Sequence, residues 1–225
     1  MSPAIHWISP RYIRLSGEIA DQPILNTLQR WFPEATVCHA FASTEAGLAF
    51  EVNDGLAGFH ESFVGRSSPV ELMIRNGCLQ IRSNRAACRY LDSKSGIIAD
   101  EDGWVDTGDV VELRQGRYYF LGRRNGVINV GGLKVYPEEV EAVINRHPAV
   151  RMSRVASRAN PVTGALVAAD VVLKDVEDPD SGPDLRGEIL EICRQSLPLY
   201  KIPATIQCVP MLKVAAGGKL VRPHA

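Results

Sequence analysis

Residues 103–141 read GWVDTGDVVELRQGRYYFLGRRNGVINVGGLKVYPEEVE, and their texture decides the fold. Within Asp102-Gly103-Trp104-Val105-Asp106-Thr107-Gly108-Asp109, Asp-Gly and Gly-Asp pairs flank an aromatic residue and mark a tight β connection. Val110–Leu113 and Arg117–Leu121 follow as short strand-like runs on either side of a Gln115-Gly116 turn. After Gly122-Arg123-Arg124-Asn125-Gly126 the pattern changes. Val127–Val130 and Leu133–Val135 bracket Gly131-Gly132, which predicts a hairpin with a two-residue turn. Pro137-Glu138-Glu139 then opens a helix, with proline in its first turn and acids near its positive end. Val140, Val143 and Ile144 supply its buried stripe. The change of texture sets a domain boundary near residue 123, dividing the chain into 1–122 and 123–225.

On the N-terminal side, residues 22–32 put Ile24, Leu25, Leu28 and Trp31 on one helical face, and Pro33 stops the helix. The apolar run Ala35–Cys38 suits a buried strand. From Pro69 to Phe120 the runs Val70–Arg75 and Cys78–Arg82, split by Asn76-Gly77, predict mostly antiparallel structure. On the C-terminal side, strands are expected near Arg154–Ser157 and Leu166–Leu173, then an exposed acidic loop over Asp175–Asp184. A helix with Leu185, Ile189, Ile192 and Leu197 facing inward follows, then a strand at Thr205–Val209. The tail from Lys213 has no clear period. The fold class expected is mixed α+β or α/β: a helix–strand unit, a β-rich part, and a small α+β domain.

Composition sets broad bounds. The chain has 225 residues, 45% of them hydrophobic and 23% charged, which is ordinary for a globular protein. A formal net charge of −1 gives no global field that would favour nucleic acid or an anionic membrane. The five cysteines are widely spaced and form no CxxC, a pattern of reduced, mostly buried thiols and not of a zinc site or disulfide frame. No segment has the form of a signal peptide or approaches the roughly 18–20 apolar residues of a membrane span. A cytoplasmic protein is expected.

Four segments have the residue types of a ligand site, and each also has a plain structural reading. Phe41-Ala42-Ser43-Thr44-Glu45-Ala46-Gly47 follows a strand and offers an aromatic face, hydroxyls and a carboxylate where α/β sheets bind ligands; taken alone, it reads better as a loop that caps a helix with Ser43 or Thr44. Asp109 carries two acceptor oxygens suited to the vicinal hydroxyls of a ribose, yet its surroundings already make sense as a turn. Gly122-Arg123-Arg124-Asn125-Gly126 with Gly131-Gly132-Leu133-Lys134 lacks the spacing of a P-loop; it fits a flexible junction with one anion- or ribose-contacting arginine, or a solvated basic hairpin. Gly217-Gly218-Lys219-Leu220-Val221-Arg222 puts a lysine on a glycine-rich loop, able to neutralise phosphate charge or merely to fray in solvent.

Order and spacing decide among these. Phe-Ala-Ser-Thr-Glu, Gly-Trp-Val-Asp-Thr-Gly-Asp, Gly-Arg followed by Gly-Gly-x-x-Val-x-Pro-x-Glu-Val-Glu, and Gly-Lys-Leu-Val-Arg, in that order, resemble the adenylate-forming superfamily of acyl- and aryl-CoA synthetases. The resemblance runs from Ser16-Gly17 to Arg222. It implies activation of a carboxylic acid by ATP, giving an acyl-adenylate and pyrophosphate, then displacement of AMP by the thiol of CoA or of a carrier-protein pantetheine. By resemblance, Phe41 takes the adenine-stacking position, Thr44 contacts the α-phosphate, and Glu45 is the Mg²⁺-associated acid. Gly17 lines the adenine and acyl pocket, and Asp109 and Arg123 contact the ribose. Asn125 sits at the hinge, where the family usually has aspartate or lysine. Gly131 and Gly132 belong to the loop that forms the thiol tunnel, and Lys219 is the catalytic lysine of adenylation.

The family's Ser/Thr/Gly-rich phosphate loop is not present in these 225 residues, and nothing here replaces its oriented backbone donors. The resemblance therefore implies a C-terminal portion, weak or inactive alone, with a second chain supplying the phosphate-loop half. The alternative is a non-catalytic module that binds AMP or an acyl-adenylate, or serves assembly. Homo-oligomerisation is compatible with either.

Overall fold

The computed structural model describes residues 8–43, 47–66, 68–86, 98–174, 184–214 and 220. It divides into two compact units, one ending at Phe120 and the other starting at Leu121.

The first unit begins with a strand the sequence reading did not anticipate. Strand β1 (Tyr12–Ser16) lies parallel to β2 (Thr36–Ser43), which pairs antiparallel with β3 (Gly47–Val52). Helix α1 (Gln22–Trp31) makes the crossover between β1 and β2, as parallel neighbours require. Its N-terminus is capped by Asp21, whose carboxylate accepts the Ile24 N–H at 2.9 Å. The helix buries Leu25 and packs Leu28 against Ala20, Val37 and Ala57. Ile24 and Trp31, expected on the buried face, are 46% and 40% exposed. The apolar stripe is narrower than its sequence period suggests because β1 and β2 cover only the Leu25–Leu28 side.

Strands β4 (Phe59–His60), β5 (Val70–Arg75), β6 (Cys78–Ser83), β7 (Val105–Arg114) and β8 (Arg117–Arg123) form a sheet in the order β4-β8-β7-β6-β5. The pairs β4–β8, β5–β6 and β6–β7 are antiparallel, as expected for this part of the chain. Gln115 and Gly116 turn the chain between β7 and β8 with φ of 49° and 78°, as a primed hairpin turn requires. The core beneath this sheet gathers Phe50, Phe59, Leu72, Leu79 and Ile81.

In the second unit, β9 (Ile128–Val130) and β10 (Leu133–Val135) pair with Val130 opposite Leu133. The two-residue turn is Gly131-Gly132, as the sequence implies, and both glycines adopt positive φ, 58° and 87°. Helix α2 (Pro137–Ile144) starts on its proline and buries Val140, Val143 and Ile144. Strands β11 (Val150–Asn160) and β12 (Gly164–Leu173) form a long antiparallel hairpin, and β13 (Thr205–Cys208) joins β12 in parallel after helix α3 (Leu185–Ser196). Helix α3 buries Ile189 and Cys193 fully; the cysteine extends the inward stripe read from Ile189 and Leu197. The loop expected over Asp175–Asp184 falls on residues outside the described set except for Asp184, which caps α3 by accepting the Gly187 N–H.

Among the described residues Cys38, Cys78, Cys193 and Cys208 are free thiols, the first three buried. No helix among these residues is long and apolar enough to cross a membrane.

Candidate functional site

Three of the sequence-predicted residues lie in the first unit. Ser16, the last residue of β1, pairs with Ala40 of the parallel strand β2. Gly17 follows the last residue of β1 and Phe41 follows Ala40 on β2, so both lie toward the carboxyl ends of parallel neighbours, where open α/β sheets bind ligands. Gly17 adopts φ of 93°, which lets the chain turn sharply out of β1. Phe41 stands at a bulge in the β2–β3 ladder, between the pairs Phe41–Phe50 and Ala42–Leu48. Its ring stacks on Phe50 and on Phe120 of β8, with centroids 5.8 Å and 5.2 Å away.

The third is Asp109. The strand-like run read from Val110 to Leu113 left it outside; it lies inside β7, in a bulge. Gln80 pairs with Asp106 and Cys78 with Val110, so Leu79 alone faces Thr107, Gly108 and Asp109. A bulge re-aims side chains locally, and two features hold this one. Gly108 adopts φ of 71°. The buried Thr107 hydroxyl donates to the Leu79 carbonyl at 2.8 Å and accepts the Asp109 N–H at 3.1 Å. The Gly-Trp-Val-Asp-Thr-Gly-Asp motif is thus a device for placing one carboxylate. Its other end is fixed by Asp100, whose carboxylate accepts the N–H groups of Trp104 and Asp102 at 2.8 Å and 3.1 Å. The Trp104 N–H, with Arg75 nearby, holds Asp100 below the usual carboxylate range.

The first unit also holds a clamp that sequence reasoning missed. Arg117 is buried, donates to Asp54 at 2.7 Å, and donates to the carbonyls of Ala57 and Gly58 at 3.1 Å each. Burial alone would push the Asp54 carboxyl up. Hydrogen bonds from Arg117 and the Leu56 N–H, with the Arg117 charge, outweigh it and hold Asp54 below its ordinary value. Gln22 of α1 binds the same loop, donating to the Gly55 carbonyl at 2.9 Å and accepting the Ala57 N–H at 3.0 Å. The only sequence signal was an arginine in a strand that otherwise faces the core, a pattern that asks for a partner.

The second unit holds Arg123, Asn125, Gly131 and Gly132. Arg123 is exposed and ends β8; Asn125 lies in the 3-10 turn Arg124–Gly126 that follows. The Gly131 N–H donates to the Thr163 carbonyl at 2.9 Å, tying the glycine turn to the connection between β11 and β12. The acids of Pro137-Glu138-Glu139-Val140-Glu141 reach three different places. Glu138 lies against Gly122, Glu139 pairs with Lys201 at 2.6 Å, and Glu141 accepts the Val155 N–H at 2.7 Å.

Thr44, Glu45 and Lys219 lie outside the described residues. Among the described residues no three His, Cys, Asp or Glu side chains cluster as metal ligands.

The chain is similar to known proteins in sequence and fold. Residues 139–219 match the family model of the AMP-binding enzyme C-terminal domain. The chain as a whole is a relative of the adenylate-forming ligases. It is 32% identical over 152 residues to a mitochondrial acyl-coenzyme A synthetase of Homo sapiens, a match covering 65% of this chain and 26% of that one. It is also 32% identical over 149 residues to the 2-succinylbenzoate–CoA ligase of Bacillus subtilis, covering 65% and 29%. The solved structure of o-succinylbenzoate coenzyme A synthetase from Bacillus subtilis, in complex with ATP and magnesium ion, superposes with a TM-score of 0.76 at 26% identity. That match covers 96% of this chain and 47% of the other. The chain thus spans between a quarter and a half of the length of these relatives, and its mixed α+β fold is that of their C-terminal part.

Proposed function

We propose that these residues are the nucleoside-binding and lysine-bearing portion of an AMP-forming, carboxylate-activating ligase. The observation that carries this reading is the family-model match over 139–219, which ends on the lysine singled out from sequence. In the proposed reaction a carboxylate oxygen attacks the α-phosphorus of ATP and pyrophosphate leaves. A thiolate then attacks the acyl carbon, and AMP leaves.

Each residue has a role in that scheme. Gly17 and Phe41 form the adenine wall, Asp109 accepts the ribose hydroxyls, and Arg123 makes a second ribose contact. Lys219 neutralises charge that develops between the carboxylate and the α-phosphate, and Thr44 contacts the α-phosphate. Glu45 is the residue that would hold Mg²⁺; the described residues do not form a magnesium cage without it, and no step here runs through the metal. Residues 123–225 act as a mobile lid about Asn125, and the Gly131-Gly132 turn borders the path of the thiol, from CoA or a carrier-protein pantetheine. The phosphate loop comes from outside these 225 residues, in the same polypeptide or in a second chain. The four free thiols among the described residues support a reducing compartment such as the cytoplasm.

A second reading, a non-catalytic module that binds AMP or an acyl-adenylate and assembles with another protein, draws on the exposed apolar side chains Tyr12, Ile24 and Trp31. Calorimetry on the chain with AMP and a non-hydrolysable acyl-adenylate analogue tests both readings. Binding lost in Asp109→Ala supports the nucleoside site; no binding of either compound removes it.

A further inference from the structure

We infer that Glu138 is a positioning residue for Arg123, acting through a close approach to Gly122; this deepens the ligase reading and rests on it for the ribose role of Arg123. Gly122 is buried and adopts φ of 147°, a region closed to side chains with a Cβ. A Cβ built on it would overlap the Glu138 carboxylate. The glycine is there because a carboxylate occupies the space a side chain would need.

The other end of this contact is firmly held. Glu138 is in the first turn of α2, whose Val140 and Ile144 are fully buried. Its neighbour Glu139 is paired with Lys201, with side-chain exposures of only 25% and 13%. One turn along, the buried Glu141 accepts the Val155 N–H. The helix under Glu138 is thus anchored, and its carboxylate meets the backbone at Gly122 from that anchor. Arg123 is the next residue, so the direction in which it leaves the strand is set by that contact. The contact also spans Asn125 in sequence, joining residue 122 upstream of the proposed hinge to residue 138 downstream of it. Sequence reading had used Glu138 only as a helix-opening acid.

The test uses the 225-residue chain. In Glu138→Ala, trypsin cleavage after Arg123 and Arg124, both exposed, should accelerate several-fold while cleavage at other sites and the melting temperature hold. AMP affinity should fall about tenfold, the scale of a misplaced ligand contact. Glu138→Gln, which keeps the shape, should restore both. Gly122→Ala, whose Cβ both displaces the carboxylate and strains a φ of 147°, should show at least the alanine phenotype. Unchanged cleavage after Arg123 and Arg124 in Glu138→Ala overturns the inference, as does an alanine phenotype that glutamine fails to rescue. If the wild-type chain binds no AMP, the ligase reading fails, and the cleavage rates still decide the contact.

Discussion

The rings of Phe41 and Phe120 stack with centroids 5.2 Å apart and planes within 5° of parallel. One side chain therefore serves both the core of the first unit and the proposed adenine wall. Phe41→Ala should lower unfolding stability by about 2–4 kcal/mol, at the low end for a phenylalanine because the ring is only half-buried. Phe41→Tyr keeps the ring and should stay within about 1 kcal/mol. Urea melts of the two variants check this, and AMP titrations should rank them in the same order.

The Thr107 hydroxyl joins the Leu79 carbonyl to the Asp109 N–H. Thr107→Val removes both bonds and should cost about 1–3 kcal/mol, since buried partners lose their satisfaction. Asp109 would no longer be held at its angle, so AMP affinity should fall even though Thr107 itself is not proposed to touch the ligand. Parallel melts and AMP calorimetry separate the two effects.

Arg117 and Asp54 set a pH dependence. The Asp54 carboxyl is held below its ordinary value in the folded chain, so its contribution is present above the unfolded value, near 4, and is lost as pH falls through the folded one. Asp54→Asn should be less stable than wild type at pH 7, and the gap should narrow below about pH 4. Arg117→Met leaves Asp54 without its cation and should cost on the order of 2–3 kcal/mol, below the value for a fully buried pair because Asp54 is 43% exposed. Urea melts from pH 3 to pH 7 give both numbers.

Burial pushes the Cys193 thiol up to about 11. A thiol raised above its unfolded value near 8.5 favours the folded state most below that pH, and the benefit fades as pH climbs toward 11. Wild type should therefore lose stability between about pH 8.5 and 11 more steeply than Cys193→Ala. At pH 8 the thiol should react with a disulfide reagent only after unfolding, which mass spectrometry of the labelled chain would show.

What the sequence made legible was local. Gly131-Gly132 declared its turn because two adjacent residues needed positive φ, and Pro137 with its following acids declared a helix start. The antiparallel sheet could be read from Asn76-Gly77 and the alternating runs around it. Strand β1 was missed because its five residues carry only two apolar side chains, Ile13 and Leu15, both half-buried, a weak alternation beside the longer runs. Ile24 and Trp31 satisfied the helical period yet face outward, since period alone does not say how wide the covering surface is. The Asp109 bulge depends on which residue of β6 stands opposite, and the reach of Glu138 to Gly122 joins residues sixteen apart. Such pairings are settled by tertiary register, which a single sequence does not display. The candidate site was read as an ordered set of residue types; the Thr107 hydroxyl bond to the Asp109 N–H and the Arg117 clamp on the Asp54–Gly58 loop carried no such signal.

The most direct test of the central claim is carboxylate-dependent exchange of pyrophosphate into ATP, measured with these residues together with their phosphate-loop portion, in one polypeptide or in two. A panel of aliphatic and aromatic acids should reveal at least one that drives exchange, and Lys219→Ala should reduce it by about two orders of magnitude or more, the scale of losing a preorganised charge. Exchange that is absent across the panel in a confirmed complete assembly, or that persists undiminished in Lys219→Ala, would contradict the account.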